Sequence, residues 1–91
     1  MKSYKMLTKE FLAEYTASLR KMQNLTQEEM AERLHITSRA YGDLERGKYC
    51  FSTIALLSLL LMLNDQELKD FLDEFCKRVY APMISKLNPP K

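Results

Sequence analysis

Glycine is nearly absent: Gly42 and Gly47 are the two in 91 residues. Two glycines cannot build the backbone cradle of a phosphate-binding loop. His35 is the single histidine, and no pattern for acid–base or nucleophilic chemistry surrounds it, so no enzyme is expected. Cysteine is just as scarce. Cys50 and Cys76 lie far apart with no second Cys or His at ligand spacing, so neither a metal site nor a cofactor is expected. Both read as reduced thiols of a cytoplasmic protein. The longest apolar stretch, residues 54–63 with Ser58 inside it, is about half of what a membrane span needs. The polar, lysine-bearing residues 1–10 are followed by no apolar signal core, so no secretory signal is expected. An excess of one charge is missing too, since 14 Lys+Arg against 12 Asp+Glu leave +2. Any nucleic-acid contact must then come from a local patch and not from a broad cationic surface.

Helical periodicity runs through what remains, and no segment alternates as a strand does. The length suits one small domain, residues 1–91, whose core must be compact or completed by a partner. Phe11, Leu12, Tyr15, Leu19 and Met22 recur at helical spacing and predict a first helix over about 9–22, stopped at Asn24 in the left-handed region. Thr26 and Glu29 form a capping box for a second helix, with Met30, Ala31 and Leu34 turned inward and Glu28, Glu29 and Glu32 toward water. After the break at His35, Ile36 and Thr37, Thr37 caps a third helix that stops at Gly47. Ser52 caps a fourth helix, apolar nearly all round, a pattern that implies burial on most sides. Asn64 and Glu67 open a fifth, with a stripe of Leu68, Phe71, Leu72, Phe75, Cys76, Val79 and Tyr80. Pro82 should end or kink that helix, although Met83, Ile84 and Leu87 continue its spacing before residues 88–91 trail off.

The second helix, a three-residue turn and the third helix make a helix-turn-helix. The run Leu25-Thr26-Gln27-Glu28-Glu29-Met30-Ala31, then Leu34, then Leu44-Glu45-Arg46-Gly47-Lys48, is followed by a leucine-rich helix. Over residues 19–64, about half of the chain, this pattern resembles the lambda-repressor/Cro-like (xenobiotic-response-element) helix-turn-helix family. The resemblance implies an all-α, compact five-helix DNA-binding domain, with its helix-turn-helix core at about 9–64 and a C-terminal amphipathic helix and tail at about 65–91. It also implies a sequence-specific regulator of transcription that binds double-stranded DNA, most simply a repressor, with the third helix in the major groove.

By the same resemblance the base-reading positions fall on Ser38, Arg39 and Asp43. Arg39 leads, because its guanidinium matches guanine O6 and N7 together. Ser38 suits a base or a phosphate, while Asp43 either accepts from a cytosine amino group or is a solvated helix charge that repels the backbone. DNA-backbone contacts fall on Gln27, Arg46, Lys48 and Tyr49, with Thr37 first a cap and second a phosphate contact. Arg20 and Glu45 are implied as a structural ion pair between the first helix and the end of the third. Three positions depart from the family's pattern. His35 replaces the usual turn glycine. Tyr41 stands where a smaller Ile or Val enters the core, so its ring is expected to protrude toward DNA. Gly42 lies inside the third helix, at ~1 kcal/mol relative to Ala, and either permits close approach to DNA or is simply tolerated.

Residues 1–25 carry five basic against two acidic residues, residues 26–50 four against five, and residues 51–91 five against five. So thin a cationic footprint calls for two copies, and a homodimer is expected. Its interface is expected on Leu68, Phe71, Leu72, Phe75, Val79, Met83 and Ile84, the alternative being a monomer whose core the fifth helix completes. The competing functional reading is a protein-interaction module on the same fold, an antitoxin or an adaptor of another regulator. Near-neutral charge, Asp43 and the apolar C-terminal segment favour it. No room is left for a ligand-sensing domain, so no small-molecule substrate or effector is expected.

Overall fold

A computed structural model describes the backbone of residues 2–87 and the side chains of residues 2–84. The side chain of Leu87 and the trailing residues 88–91 lie outside what it describes. The fold is all-α, in the order α1 (Tyr4–Met22), α2 (Gln27–Arg33), α3 (Ser38–Glu45), α4 (Thr53–Leu61), α5 (Asp65–Phe75), a π-helical turn (Cys76–Tyr80) and α6 (Ala81–Leu87). No described helix is long and apolar enough to cross a membrane.

Helix starts follow the capping residues. Thr26, Thr37, Ser52 and Asn64 each accept from the backbone N–H three residues on, which satisfies a donor that the first helical turn leaves free. The first helix begins five residues earlier than its apolar spacing predicts. Ser3 caps it by accepting from the Met6 N–H at 3.1 Å, and the Tyr4 ring lies 6.3 Å from Phe75, which gives the added turn something to pack on.

Three of the helices end in one and the same way. Asn24, His35 and Gly47 are in the left-handed region, at φ 56, 60 and 71. The next residue's N–H then reaches back to Arg20, Ala31 and Asp43 carbonyls at 3.0, 3.0 and 2.9 Å, the double-bonded motif that closes a helix C-terminus. Of the three, His35 carries the largest cost, because the left-handed region crowds its Cβ by ~1–2 kcal/mol and Asn tolerates it better. His35→Gly should therefore stabilise the protein. The greater freedom of glycine in the unfolded chain takes back part of the gain, leaving about 0.5–1 kcal/mol. A urea midpoint that fails to rise in this variant would show that no strain is held at His35.

The core gathers around α1. Phe11, Leu12 and Leu19 are buried with Met30, Ala31 and Leu34 of α2, Tyr41 of α3, Ala55 and Leu59 of α4, Phe71 of α5 and Val79 of the π turn. Phe11 meets Phe71 and Phe75 at 5.6 Å each, and Tyr15 meets Phe71 edge-on at 4.8 Å. Burial, and then the nearby Glu67 and Asp70 carboxylates, raise the Tyr15 hydroxyl above its ordinary pKa. Arg78 closes the end of this cluster. Its guanidinium lies 5.2 Å from the Phe11 ring centre and pairs with Glu14 at 2.6 Å.

This packing uses part of the stripe expected as a dimer surface. Phe71 and Val79 are 5% and 1% exposed, and Phe75 is half-buried against Phe11, so the stripe of α5 is spent on α1 of the same chain. A side chain with no accessible area has nothing to offer a second chain. Leu68 and Met83 are half-buried, and only Leu72 and Ile84 of that set remain exposed.

Pro82 does not end the helix. Phe71, Phe75, Val79 and Met83 are each four residues apart, and four residues of α-helix overshoot a full turn by ~40° per step. The π turn absorbs the overshoot and returns Val79 to the α1 side. The Ala81 N–H donates to the Cys76 carbonyl, an i→i−5 bond. This wider turn makes room for the pyrrolidine ring, which in a regular α-helix would strike the carbonyl four residues back. The fourth helix departs from expectation as well. Only Ala55 and Leu59 of α4 are buried, because the helices around it cover one of its sides.

Candidate nucleic-acid interface

The turn that joins α2 to α3 sets the site. The Glu29 N–H donates to Thr26 Oγ1 at 3.1 Å and the Thr26 N–H donates to the Glu29 carboxylate at 2.9 Å, and hydrogen bonding from the Thr26 backbone, then from its hydroxyl, holds that carboxyl below its ordinary pKa. Ala31 of α2 is buried in the core, where a longer side chain would have to displace its neighbours. Thr37 Oγ1 accepts from the Ala40 N–H at 3.1 Å and fixes the first turn of α3. That turn is open to solvent: Thr37, Ser38 and Arg39 are all exposed, whereas Tyr41 and Leu44 point into the core.

Glu45, at the far end of α3, is the hub that holds the motif together. Arg20 donates to it through Nε at 2.6 Å and through Nη2 at 3.3 Å. A third donor of the same guanidinium reaches the Leu25 carbonyl at 2.9 Å. Gln27 Nε2 donates to Glu45 Oε1 at 3.1 Å, and the Tyr41 hydroxyl donates to Oε2. One carboxylate thus ties α1, the start of α2 and α3. Burial pushes the Glu45 carboxyl up, but the hydrogen bonds from Arg20, Tyr41 and Gln27 outweigh it and hold the group below its ordinary value. The same bond, against a smaller opposing effect of burial, raises Arg20. Burial first, and then the bond to Glu45, raise the Tyr41 hydroxyl.

Two expectations for α3 change here. Tyr41 does not protrude toward a ligand, for it is fully buried. The i,i+4 spacing of Tyr41 and Glu45 was the available signal, since it lets a phenol run inward along the helix and end on the carboxylate. Asp43 is not a solvated helix charge. It is 9% exposed and paired with Arg46, whose guanidinium folds back over Gly42. A Cβ at position 42 would lie 3.3 Å from Arg46 Nη1, so the glycine makes space for this pair.

The remaining groups stay available. Arg39 is exposed and, among the described residues, makes no ion pair or side-chain hydrogen bond. Gln27 is exposed at the first position of α2 and uses one amide N–H on Glu45. Lys48 and Tyr49 are exposed just past α3, with the ammonium 5.5 Å from the phenol ring centre. Arg46 keeps a side chain 66% exposed despite its pair. A cation and hydroxyls on one helix turn, flanked by further cations, suit a polyanion with hydrogen-bonding edges. Among the described residues no cluster of His, Cys, Asp and Glu is gathered that would hold a metal ion.

The helix-turn-helix family model matches residues 17–67, which run from the last turns of α1 into α5. No curated protein and no solved structure matches the chain.

Proposed function

The chain belongs to the lambda-repressor/Cro-like helix-turn-helix family, a family of DNA-binding regulatory domains and not of enzymes, and from that premise we propose that it is a dimeric, cytoplasmic repressor that reads a specific duplex sequence with α3. In this reading α3 lies in the major groove. Arg39 bonds guanine O6 and N7, and Ser38 meets a neighbouring base edge or phosphate. Gln27 binds a phosphate at the start of α2, where free N–H groups and the helix dipole favour an anion. Lys48, Tyr49, Arg46 and the Thr37 hydroxyl line the flanking backbone. A chain bound over a promoter excludes polymerase, which is the simplest route to repression.

One observation carries the reading. Arg20 and Arg46 are held by Glu45 and Asp43, whereas Arg39 stands exposed on the first turn of α3 and is unpaired among the described residues. The test is selection from a random duplex library, followed by binding at two salt concentrations. The expected result is a palindromic consensus bound at ~10⁻⁸ M or tighter, with affinity falling steeply as salt rises. Binding at only ~10⁻⁴–10⁻⁶ M with no consensus would overturn the reading in favour of a protein-interaction module.

A further inference from the structure

The most exposed large apolar side chain among the described residues, Leu61, lies on α4 and not on α5. Ile54, Leu57 and Leu61 are 68%, 55% and 87% exposed, and their spacing of three and then four residues puts them on one face of α4. Nothing in α4 is charged, from Thr53 to Leu61. We propose that this face is the contact between two copies of the chain. The inference takes from the functional reading only the expectation of a dimer, and it names the surface.

Three features favour a second copy over another partner. A stripe without charge carries nothing to select or orient a charged partner, but it is complementary to itself across a two-fold axis. Its three side chains expose on the order of 300 Å² of apolar surface per chain, enough for the dry centre of a standard two-fold interface whose rim neighbouring polar residues complete. The third feature is position. α4 follows α3 after a short loop, and Ile36, Ala40 and Leu44 share an apolar groove with Ala55 of α4. An axis on α4 therefore fixes the two α3 helices through a short, packed connection, as reading a palindrome requires. Along α5, the π turn and α6 the exposed apolar residues Leu72, Tyr80 and Ile84 are spread over twelve positions, and Phe71 and Val79 of the same stripe are buried.

Sedimentation of the full chain without DNA, across a dilution series, tests the inference. The wild-type chain should be a dimer. Leu57→Glu and Leu61→Glu should each weaken dimerisation by about 30-fold or more, the effect of removing a central interface anchor. Leu72→Glu should leave the dimer intact. Far-UV circular dichroism checks that the helices persist, and the neutral Leu57→Ser and Leu61→Ser keep the test readable if the charged variants lose them. A monomeric wild-type chain, or α4 variants that dimerise as tightly as wild type, would overturn the inference. Because no DNA is present, the outcome is independent of base reading. A monomer that still selects a consensus defeats the α4 contact alone, whereas a dimer that selects none defeats the DNA reading alone.

Discussion

Glu45→Gln should destabilise the protein by about 3 kcal/mol at neutral pH, as expected when one partner of a buried ion pair is removed. The side chains of Arg20 and Glu45 are 14% and 10% exposed, so the guanidinium left behind has little water to turn to. The Leu25 carbonyl keeps one of its donors satisfied, which places the loss at the lower end of the usual range. Glutamine keeps the shape of the site, so the loss reports charge and not a cavity. The pH dependence has a definite sign. Folding holds the Glu45 carboxyl below its ordinary 4.5, so the ionised form is the one that folding favours. The resulting stabilisation is complete above that value and disappears as pH falls through the lower, folded-state value. The stability gap between wild type and Glu45→Gln should therefore narrow in urea titrations once the pH drops below that ordinary value. A gap that stays constant into acid would mean that the carboxylate contributes by shape alone.

Arg39→Ala should cost about 1–3 kcal/mol of specific DNA binding, which is roughly a 5–150-fold loss, and should relax the preference at one base position. Binding to random duplex should fall far less, because only one cation is withdrawn from the backbone field. Stability should stay within about 0.5 kcal/mol of wild type, since the side chain is exposed and bonds to nothing among the described residues. This separation is the diagnostic. Glu45→Gln should move stability by disrupting the scaffold, and Arg39→Ala should move recognition while the scaffold stands. Repeating the library selection with the Arg39→Ala chain decides the assignment, and an unchanged consensus at every position would remove Arg39 from base reading.

Much of the fold was legible from residues that act on their own neighbours. A Thr, Ser or Asn that accepts from the N–H three residues on works within one helical turn. For that reason Thr26, Thr37, Ser52 and Asn64 mark helix starts without reference to anything distant. Asn24 and Gly47 mark stops for a similarly local reason, the left-handed backbone that they tolerate. The start of α1 was less legible, because its first turn rests on Tyr4 meeting Phe75, some seventy residues away in sequence. The candidate site divides along the same line. Ser38 and Arg39 are exposed by the phase of a short helix whose other face is apolar. The fates of Tyr41 and Asp43 depended on side chains with a choice of partner: the phenol took Glu45 in the interior, and the carboxylate took Arg46 over the bare backbone of Gly42.

By itself, then, the sequence determined where α2 to α5 begin and where α1 to α3 end, that a helix-turn-helix forms, and that its third helix presents a cation. Local hydrogen bonds and helical phase are properties of a few adjacent residues, and they are written in those residues. Only the tertiary structure decided which apolar faces meet. Two stripes, one on α4 and one on α5, competed for the same small core. The aromatic rings of α5 and the re-phased Val79 closed on α1, and Ile54, Leu57 and Leu61 were left outside. Burial is assigned by competition for a limited interior, and the result of that competition is settled by the shapes of all the packed faces together.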